Sequence, residues 1–327
     1  MTFRIGLTRD LIKADGEPSF GRAPLQCLNS APGITWEIIP EDLSEITPEI
    51  AARYDGLYVN APRVTRASVA RSDCQLKIVA RHGVGYDSVD TAALAERGIV
   101  LTNTPVAVRR PVAVAALTLI FALAGRLFTK DRLTRSGRWH ERTSHMGLGL
   151  TTRTLGIIGA GGIGREILSL AAPFGWTMLV HDPFVPAEVI GSLGGHPASL
   201  DELLKRSDFV VACCILNDHT RHLMNATRFA QMKPEAFFIN VARGPVADEQ
   251  ALIEALRVGR IAGAGLDVFE QEPVAPDNPL LSMDQVVVTP HSLCWTDECF
   301  DAIAREGLGC LVDFADGRTP RSVVKAG

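Results

Sequence analysis

Three polar residues that follow predicted strands late in the chain have side chains suited to acid–base chemistry: Arg243, Glu272 and His291. An arginine can clamp a carboxylate and polarise the neighbouring carbonyl. A histidine titrates near neutral pH, and a nearby glutamate favours its charged form, so the pair can give a proton to a developing alkoxide. Hydride transfer to a keto carbonyl that lies next to a carboxylate needs groups of these kinds. Taken singly, each has a plainer interpretation, because a histidine after Thr-Pro is often structural and a glutamate before proline often lies in a solvated loop.

A glycine-rich segment earlier in the chain predicts a site for the other reactant of such a transfer. Gly159, Gly161 and Gly164 form G-x-G-x-x-G between the apolar run 155–158 and an amphipathic helical pattern. The first glycine permits a tight turn, the second lets a pyrophosphate approach the backbone, and the third lets the helix pack on the strand. The first N–H groups of the helix then face the phosphates. The segment therefore predicts a dinucleotide site.

The acidic residue after the next strand strengthens this prediction and indicates the cofactor. The apolar run 177–181 ends at Asp182, about 20 residues after the glycines, where a carboxylate can accept bonds from the adenosine ribose hydroxyls. The same carboxylate would repel the 2′-phosphate of NADP, so we expect NAD. The alternative is a glycine-rich turn followed by an ordinary acidic loop residue.

Strands and helices alternate between residues 154 and 289, which is typical of a complete Rossmann sheet. Ser199 is predicted to cap a short helix, Asn225 a helix that runs to Lys233, and Asp248 a helix that runs to Arg257. Six strands are predicted, at 155–158, 177–181, 209–216, 236–242, 262–269 and 286–289.

A second alternation of strands and helices precedes residue 103, so the fold class is α/β with two parallel-sheet domains. A helix is predicted over 88–97. The segment Gly83-Val-Gly-Tyr-Asp87 follows a strand, and its exposed N–H groups suit a small carboxylate. A plain strand-to-helix turn is the alternative. The strands are predicted at 3–8, 36–39, 56–59, 76–80 and 99–101. We predict a flavodoxin-like substrate domain over 1–103 with 292–327, and an NAD-binding domain over 104–291.

The segment between the two predicted sheet domains indicates that the chain associates with a second copy. A long helical pattern over 105–132, apolar on most faces, is either core or a subunit interface. The glycine-rich segment 136–149 is predicted to form an extended arm, and we expect a homodimer built on the helix and the arm. A last helical pattern, over 292–316, outlasts the second sheet and is predicted to return to the first domain.

Composition argues against several classes of protein. The chain has 327 residues and a net charge of −4, which gives no electrostatic case for nucleic acid or an anionic membrane. The longest apolar stretch, 112–125, is too short to span a bilayer, and the N-terminus has no apolar signal-peptide core. Seven cysteines without C-x-x-C indicate the reduced thiols of a cytoplasmic protein, and no metal site is predicted.

With these segments in place, the sequence resembles the D-isomer-specific 2-hydroxyacid dehydrogenases over nearly its whole length. The matching segments are Arg81-His-Gly-Val-Gly-Tyr-Asp-Ser-Val-Asp90, Asn103-Thr-Pro105, Gly159 to Gly164 with Asp182, Asn240-Val-Ala-Arg-Gly244, Gly265-Leu-Asp-Val-Phe-Glu-Gln-Glu-Pro273 and Thr289-Pro-His291.

The resemblance implies a role for each catalytic or substrate-binding residue. It implies that Arg243 binds the substrate, that His291 is the acid/base and that Glu272 is its partner. Backbone groups of Val84 and Gly85 would hold the substrate carboxylate.

The cofactor site is predicted in the same way. The resemblance implies that Asp267 contacts the nicotinamide carboxamide and that Asp182 selects NAD, since the segment 181–184 lacks the arginine that NADP-using relatives tend to carry. The predicted cofactor-binding residues are Gly159, Gly161, Gly162, Ile163, Gly164, Asp182, Cys214, Val241, Arg243, Asp267 and His291.

The sequence departs from the family where the substrate is concerned. Many relatives carry Glu-His within the segment 112–117, a glycine pair within 292–295, and proline at Ile215. Some relatives bind a substrate phosphate through an arginine at position 59 or 60, where this chain has Val-Asn with Arg63 close by. We expect Trp295 to reshape the pocket and the substrate to be unphosphorylated, such as hydroxypyruvate or a related sugar-derived keto acid.

Three functions compete on this reading of the sequence. The leading hypothesis is an oxidoreductase that uses NAD to reduce a small 2-keto acid, or the reverse. The second is a dinucleotide-sensing corepressor on the same fold, which needs a partner-binding surface that is not evident. Formate oxidation on the same scaffold ranks lower, because it usually comes with a longer chain.

Overall fold

The computed structural model describes residues 2–324, and the chain divides into two compact units. One unit runs up to Val108 and resumes at Trp295, and the other runs from Arg109 to Cys294. The substrate and NAD domain bounds at 103/104 and 291/292 stay predictions, and residues 1 and 325–327 of those bounds lie outside the described part.

The first unit is built on five parallel strands in flavodoxin-like order, which confirms the predicted fold class. The strands are β1 Phe3–Leu7, β2 Ile34–Ile38, β3 Gly56–Val59, β4 Ile78–Arg81 and β5 Val100–Thr102. They lie in the order β2-β1-β3-β4-β5. Every residue of β3 is buried, as expected for a central strand covered on both faces.

The second unit is built on seven parallel strands in Rossmann order. The strands are β6 Thr154–Ile158, β7 Thr177–His181, β8 His196–Pro197, β9 Phe209–Ala212, β10 Phe237–Asn240, β11 Gly263–Leu266 and β12 Val286–Val288. They lie in the order β12-β11-β10-β9-β6-β7-β8, so the direction of winding reverses between β6 and β9, where open α/β sheets bind ligands. The prediction of six strands is wrong by one, because β8 is a two-residue exposed edge strand without an apolar pattern.

The helices of the described residues cover these sheets. They are α1 Gln26–Asn29, α2 Pro48–Arg53, α3 Thr91–Glu96, α4 Arg109–Gly125, α5 Leu127–Arg135, α6 Gly162–Ala171, α7 Ala187–Gly191, α8 Leu200–Arg206, α9 Ala226–Phe229, α10 Glu249–Arg257 and α11 Asp297–Ala315. The predicted caps Ser199, Asn225 and Asp248 are confirmed, since each side chain accepts an N–H of its own first turn. The helix after Asn225 is shorter than predicted and ends at Phe229 rather than Lys233.

The prediction of one continuous helix over 105–132 is wrong. The structure has two helices, α4 and α5, bent by 56° at the break between them. Arg126, at the break, has a left-handed φ of 50°. The carbonyl of Ala124, near the end of α4, accepts the N–H of Leu148 at 2.7 Å, which satisfies a group that a helix end leaves unpaired. The predicted extended arm contains a 3₁₀ helix over Trp139–Ser144.

The apolar side chains of α4 lie in the core of the second unit, with residues of β6, β10 and α6. Gly265 of β11 makes room for this helix, because a Cβ there would lie 3.0 to 3.1 Å from the side chains of Leu119 and Leu123. The composition of α4 is therefore explained by burial in the core.

Several predicted elements extend beyond the observed ones. The strands predicted to end at residues 216, 242 and 269 end at Ala212, Asn240 and Leu266. Beyond these points the chain forms the loops that carry the candidate site. The helix predicted over 292–316 begins only after Thr296, whose hydroxyl accepts the N–H of Cys299 at 3.1 Å, and it belongs to the first unit.

Within residues 2–324, no single helix has both the length and the apolar character needed to cross a membrane. The bent pair α4 and α5 meets that criterion together, by length and composition only.

Candidate active site

The structure brings His291 and Glu272 into direct contact. The Nδ1 of His291 lies 2.7 Å from Oε2 of Glu272, and the backbone N–H of Phe269 donates to Oε1 at 2.9 Å. Burial raises the pKa of Glu272, but hydrogen bonds from His291 and Phe269 and the charges of His291 and Arg243 outweigh burial, so the pKa lies below its ordinary value. An ionised carboxylate only accepts hydrogen bonds, so Nδ1 carries a proton and Nε2 is left for another partner.

The backbone holds His291 in an unusual conformation. Its φ is 53°, in the left-handed region that residues other than glycine rarely adopt. The N–H of Thr289, two residues earlier, donates to the carbonyl of Leu266 at 2.9 Å and so ties the segment to the end of β11. Such a conformation persists only where the surroundings determine it.

Hydrogen bonds to Asp267 hold much of this backbone conformation in place. Its Oδ1 accepts the hydroxyl of Thr289 at 2.7 Å and the N–H groups of Ser292 and Leu293 at 3.0 and 3.1 Å. Asp267 as a residue is 5% exposed, so these bonds are shielded from water. Asp267 therefore fixes the loop on both sides of His291, a role that sequence reasoning missed. Its predicted contact with nicotinamide stays a prediction.

Arg243 follows β10 in a turn that Asn240 organises. The buried amide of Asn240 donates to the carbonyl of Arg243 at 3.0 Å and accepts the N–H of Ala242 at 3.0 Å. The guanidinium donates to the carbonyl of Ala242 at 2.7 Å. Its charge contributes to the lowered pKa of Glu272, so a cation and the ion pair share this edge of the sheet. No sequence signal beyond the Asn-Val-Ala-Arg-Gly run pointed to Asn240.

The glycine-rich loop has the shape that a dinucleotide requires. Gly159 has a φ of 102°, and a Cβ on it would lie 2.8 Å from the backbone of Cys214. A Cβ on Gly164 would overlap the carbonyl of Gly159, whereas Gly161 faces open space. In the part of the chain that the structure describes, the N–H groups of residues 161–164 have no hydrogen-bond partner. The loop therefore fits a diphosphate.

Asp182 is tied to this loop. Its Oδ2 accepts the N–H of Ala160 at 2.7 Å, and its Oδ1 accepts the N–H of Phe184 at 2.9 Å. Each carboxylate oxygen keeps a further lone pair for a ribose hydroxyl. The residue therefore supports the loop, whatever it contributes to the choice of cofactor.

The remaining residues predicted to contact the cofactor are apolar or neutral. Ile163 lies in the first turn of α6, and Val241 is buried directly after β10. Burial raises the pKa of the Cys214 thiol to about 11, so this group is a neutral thiol. Among residues 2–324 there is no cluster of three side chains suited to a metal ion.

The predicted carboxylate-binding loop lies in the first unit, directly after β4. The N–H of Gly83 donates to the hydroxyl of Thr104 at 3.0 Å, and the amide of Asn103 donates to the carbonyl of Val84 at 2.7 Å. Within residues 2–324 the N–H groups of Val84 and Gly85 have no hydrogen-bond partner. They are therefore available to an anion, and their role stays a prediction.

A buried histidine beside this loop was missed by sequence reasoning. His82 is 4% exposed, and its Nδ1 lies 2.6 Å from the hydroxyl of Tyr58. Burial lowers the pKa of His82 to about 3, with a smaller contribution from Arg81, so the ring is neutral. Phe300 packs against His82, and Trp295 packs against Phe300 with ring centroids 5.1 Å apart. The predicted effect of Trp295 on a substrate pocket stays a prediction.

Comparison with known proteins identifies a family that the chain matches. The family model for the NAD-binding domain of D-isomer-specific 2-hydroxyacid dehydrogenases matches residues 117–292. A glyoxylate reductase of Thermococcus onnurineus is 38% identical over 295 residues, with 88% of each chain covered. A D-3-phosphoglycerate dehydrogenase of Methanocaldococcus jannaschii is 39% identical over 251 residues, covering 76% of this chain and 46% of the relative.

A solved structure agrees along the whole chain. A D-lactate dehydrogenase from Aquifex aeolicus, complexed with NAD and lactic acid, has a TM-score of 0.85 at 25% identity, with 99% of each chain covered. The family model, the two sequence relatives and this structure all agree with the resemblance inferred from the sequence. The chain belongs to the D-isomer-specific 2-hydroxyacid dehydrogenase family.

Proposed function

We propose that this family member reduces a small unphosphorylated 2-keto acid to the D-2-hydroxy acid, and that the pair His291–Glu272 supplies the proton. The observation that carries the proposal is the 2.7 Å contact between Nδ1 and Oε2, which directs the other ring nitrogen away from the carboxylate. When bound, the nicotinamide supplies the hydride.

The chain's own residues orient the substrate and transfer the proton. Arg243 orients the substrate carboxylate and polarises its carbonyl. The Nε2 of His291 gives its proton to the developing alkoxide, and Glu272 stabilises the imidazolium before transfer. In the reverse direction, Nε2 accepts the proton of the hydroxyl.

The N–H groups of Val84 and Gly85 are assigned to the substrate carboxylate, and those of residues 161–164 to the diphosphate. Support for both assignments comes from N–H groups without partners in the described residues.

The substrate is proposed to be glyoxylate, hydroxypyruvate or a close relative. A second anionic group on the substrate would need a further cation, for which Arg63, Arg81 and Arg110 were candidates. Arg110 forms an ion pair with Glu166 at 2.9 Å, and the guanidinium of Arg81 donates to the amide oxygen of Asn60 at 3.4 Å. Partners inside the protein weaken the case for a phosphate site at these two arginines.

A panel of 2-keto acids tests this proposal through the absorbance of NADH. We expect kcat/KM for hydroxypyruvate or glyoxylate to exceed that for 3-phosphohydroxypyruvate, because two of the three candidate cations, Arg81 and Arg110, already have partners inside the protein. A much higher kcat/KM for the phosphorylated acid would reverse the choice of substrate. Absence of turnover with every acid, despite NADH binding, would favour a nucleotide-sensing protein.

The cofactor is proposed to be NAD rather than NADP. Asp182→Ser removes a negative charge that a 2′-phosphate would meet, so the ratio of kcat/KM with NADPH to that with NADH should rise about tenfold. Because Asp182 also holds the loop through Ala160, both cofactors should bind more weakly in absolute terms. Asp201→Ser, an exposed change in the first turn of α8, is the matched control. An unchanged ratio, or equal efficiency of the unmodified chain with both cofactors, would contradict the assignment.

The chain is also proposed to form a homodimer in the cytoplasm. Leu127, Phe128, Trp139 and Met146 are each more than half exposed along α5 and the arm. Sedimentation at micromolar concentration should give about twice the 35.2 kDa of one chain, because such a surface favours burial by a second copy.

Phe128→Asp should shift this equilibrium towards the monomer, whereas Val258→Asp, at another exposed apolar residue, should not. A monomeric unmodified chain would contradict the proposal.

A further inference from the structure

The side chain of Arg109 lies over the start of α6. An ideal Cβ on Gly162, the first residue of that helix, would lie 2.7 Å from Nε of Arg109 and 3.0 Å from its Cδ. Gly162 has no positive φ, so its backbone does not require glycine. The absence of a side chain at Gly162 therefore makes room for Arg109.

The surroundings of Arg109 belong to the glycine-rich loop. Gly161, next to Gly162, faces open space, and the N–H groups of residues 161–164 have no partner within the described part of the chain. These N–H groups are neutral dipoles, whereas a dinucleotide diphosphate carries two negative charges. A cation beside them adds the charge that the loop backbone lacks.

Arg109 is exposed at the start of α4, beside the first residue of α6. Its guanidinium is therefore placed beside the part of the loop that stays open.

We infer that Arg109 binds the diphosphate of the cofactor and that Gly162 is glycine because it accommodates this guanidinium. The inference rests on the proposed use of NAD(H) and adds a positioning residue that no motif of the sequence indicated. The proposed contact is with the diphosphate and not with the reacting groups, so the expected effect is on cofactor affinity.

Titration calorimetry with ADP-ribose, NADH and adenosine tests the inference without turnover. Arg109→Gln should raise the Kd of ADP-ribose and of NADH by about tenfold, the typical value of one charge-assisted hydrogen bond. The Kd of adenosine, which has no phosphate, should not change. The Kd of ADP-ribose should also depend less on salt, because one screened attraction has been removed. Arg257→Gln, an exposed change of the same charge on α10, should leave all values as they are.

A double-mutant cycle separates this role from simple packing. Gly162→Ala should weaken ADP-ribose binding in the unmodified chain, because the methyl group displaces the guanidinium. In the Arg109→Gln background the same substitution should have almost no effect. Additive losses, or an unchanged Kd in Arg109→Gln, would overturn the inference and leave the proposed function intact. An unmodified chain that binds neither NADH nor ADP-ribose would overturn the proposed function itself.

Discussion

His291→Gln is expected to lose roughly 10²–10⁴-fold in kcat, the usual contribution of a positioned acid or base. Glutamine can still donate a hydrogen bond to Glu272, but it cannot give up or take a proton near neutral pH. The Kd of NADH, measured by fluorescence, should stay close to that of the unmodified chain. His291→Asn serves as the second variant, because asparagine tolerates the left-handed backbone at this position better than glutamine.

The pH dependence should differ between the two directions of the reaction. Reduction needs the charged imidazole as acid, so its rate should fall as pH rises. Oxidation of the hydroxy acid needs the neutral imidazole as base, so its rate should fall as pH drops. The pKa of Glu272 is lowered in the folded chain, so this carboxyl protonates only below its ordinary range. The loss of oxidation as pH drops is therefore assigned to His291 rather than to Glu272.

Glu272→Gln should retain more activity than His291→Gln and should change the pH profile. Without a negative neighbour the imidazolium is less stable, so the pH above which reduction is lost should move down. A variant that merely loosens the loop would lower kcat at every pH without changing the pH above which reduction is lost. Full turnover by a folded, NADH-binding His291→Gln protein would show that the histidine only fastens the loop after β12.

The elements that could be predicted from the sequence are those with a local signal. The length of the apolar runs and their spacing along the chain predicted most strands of both sheets. The spacing of the glycines predicted the turn between β6 and α6. The break at Arg126 was missed although Gly125, directly before it, is a residue type that often ends helices. The hydrogen bond from the N–H of Leu148 to the carbonyl of Ala124 spans more than twenty residues and has no local signal. The ends of β9, β10 and β11 were overestimated because apolar residues continue beyond each strand. The residues directly after β10 and β11 are buried, whereas Ile215 after β9 is exposed.

The same distinction applies to the candidate site. The pairing of Glu272 with His291 was predicted, since both follow neighbouring strands and parallel strands end at one edge of the sheet. The use of Asp267 to fasten the loop around His291 was not, because one oxygen serves three donors that are more than twenty residues away. The type of a residue at the end of a strand indicates which reactions or contacts its side chain could support. It does not indicate whether hydrogen bonds within the protein already occupy that side chain.

Gly244→Ala is expected to be the most damaging small substitution in the second unit. A Cβ on Gly244 would overlap the backbone carbonyl of Phe269, which cannot move as a flexible side chain would. The N–H of Phe269 donates to Glu272, so relief of the overlap must shift the partner of His291 as well. Overpacking of this kind typically costs about 1–3 kcal/mol of folding free energy.

Two measurements separate the loss of stability from the loss of catalysis. Denaturant unfolding should show the lowered stability, and kcat at a temperature where the variant is folded should still be reduced, because the Glu272 carboxylate is misplaced. Gly309→Ala is the matched control, since Gly309 lies within α11 and a Cβ there would meet no atom within 4 Å. That change should be neutral or stabilise by roughly 0.5–1 kcal/mol, the helix preference of alanine over glycine. Unchanged stability and turnover in Gly244→Ala would mean that the segment after β11 is free to move, and that its hydrogen bond to Glu272 does not position the carboxylate.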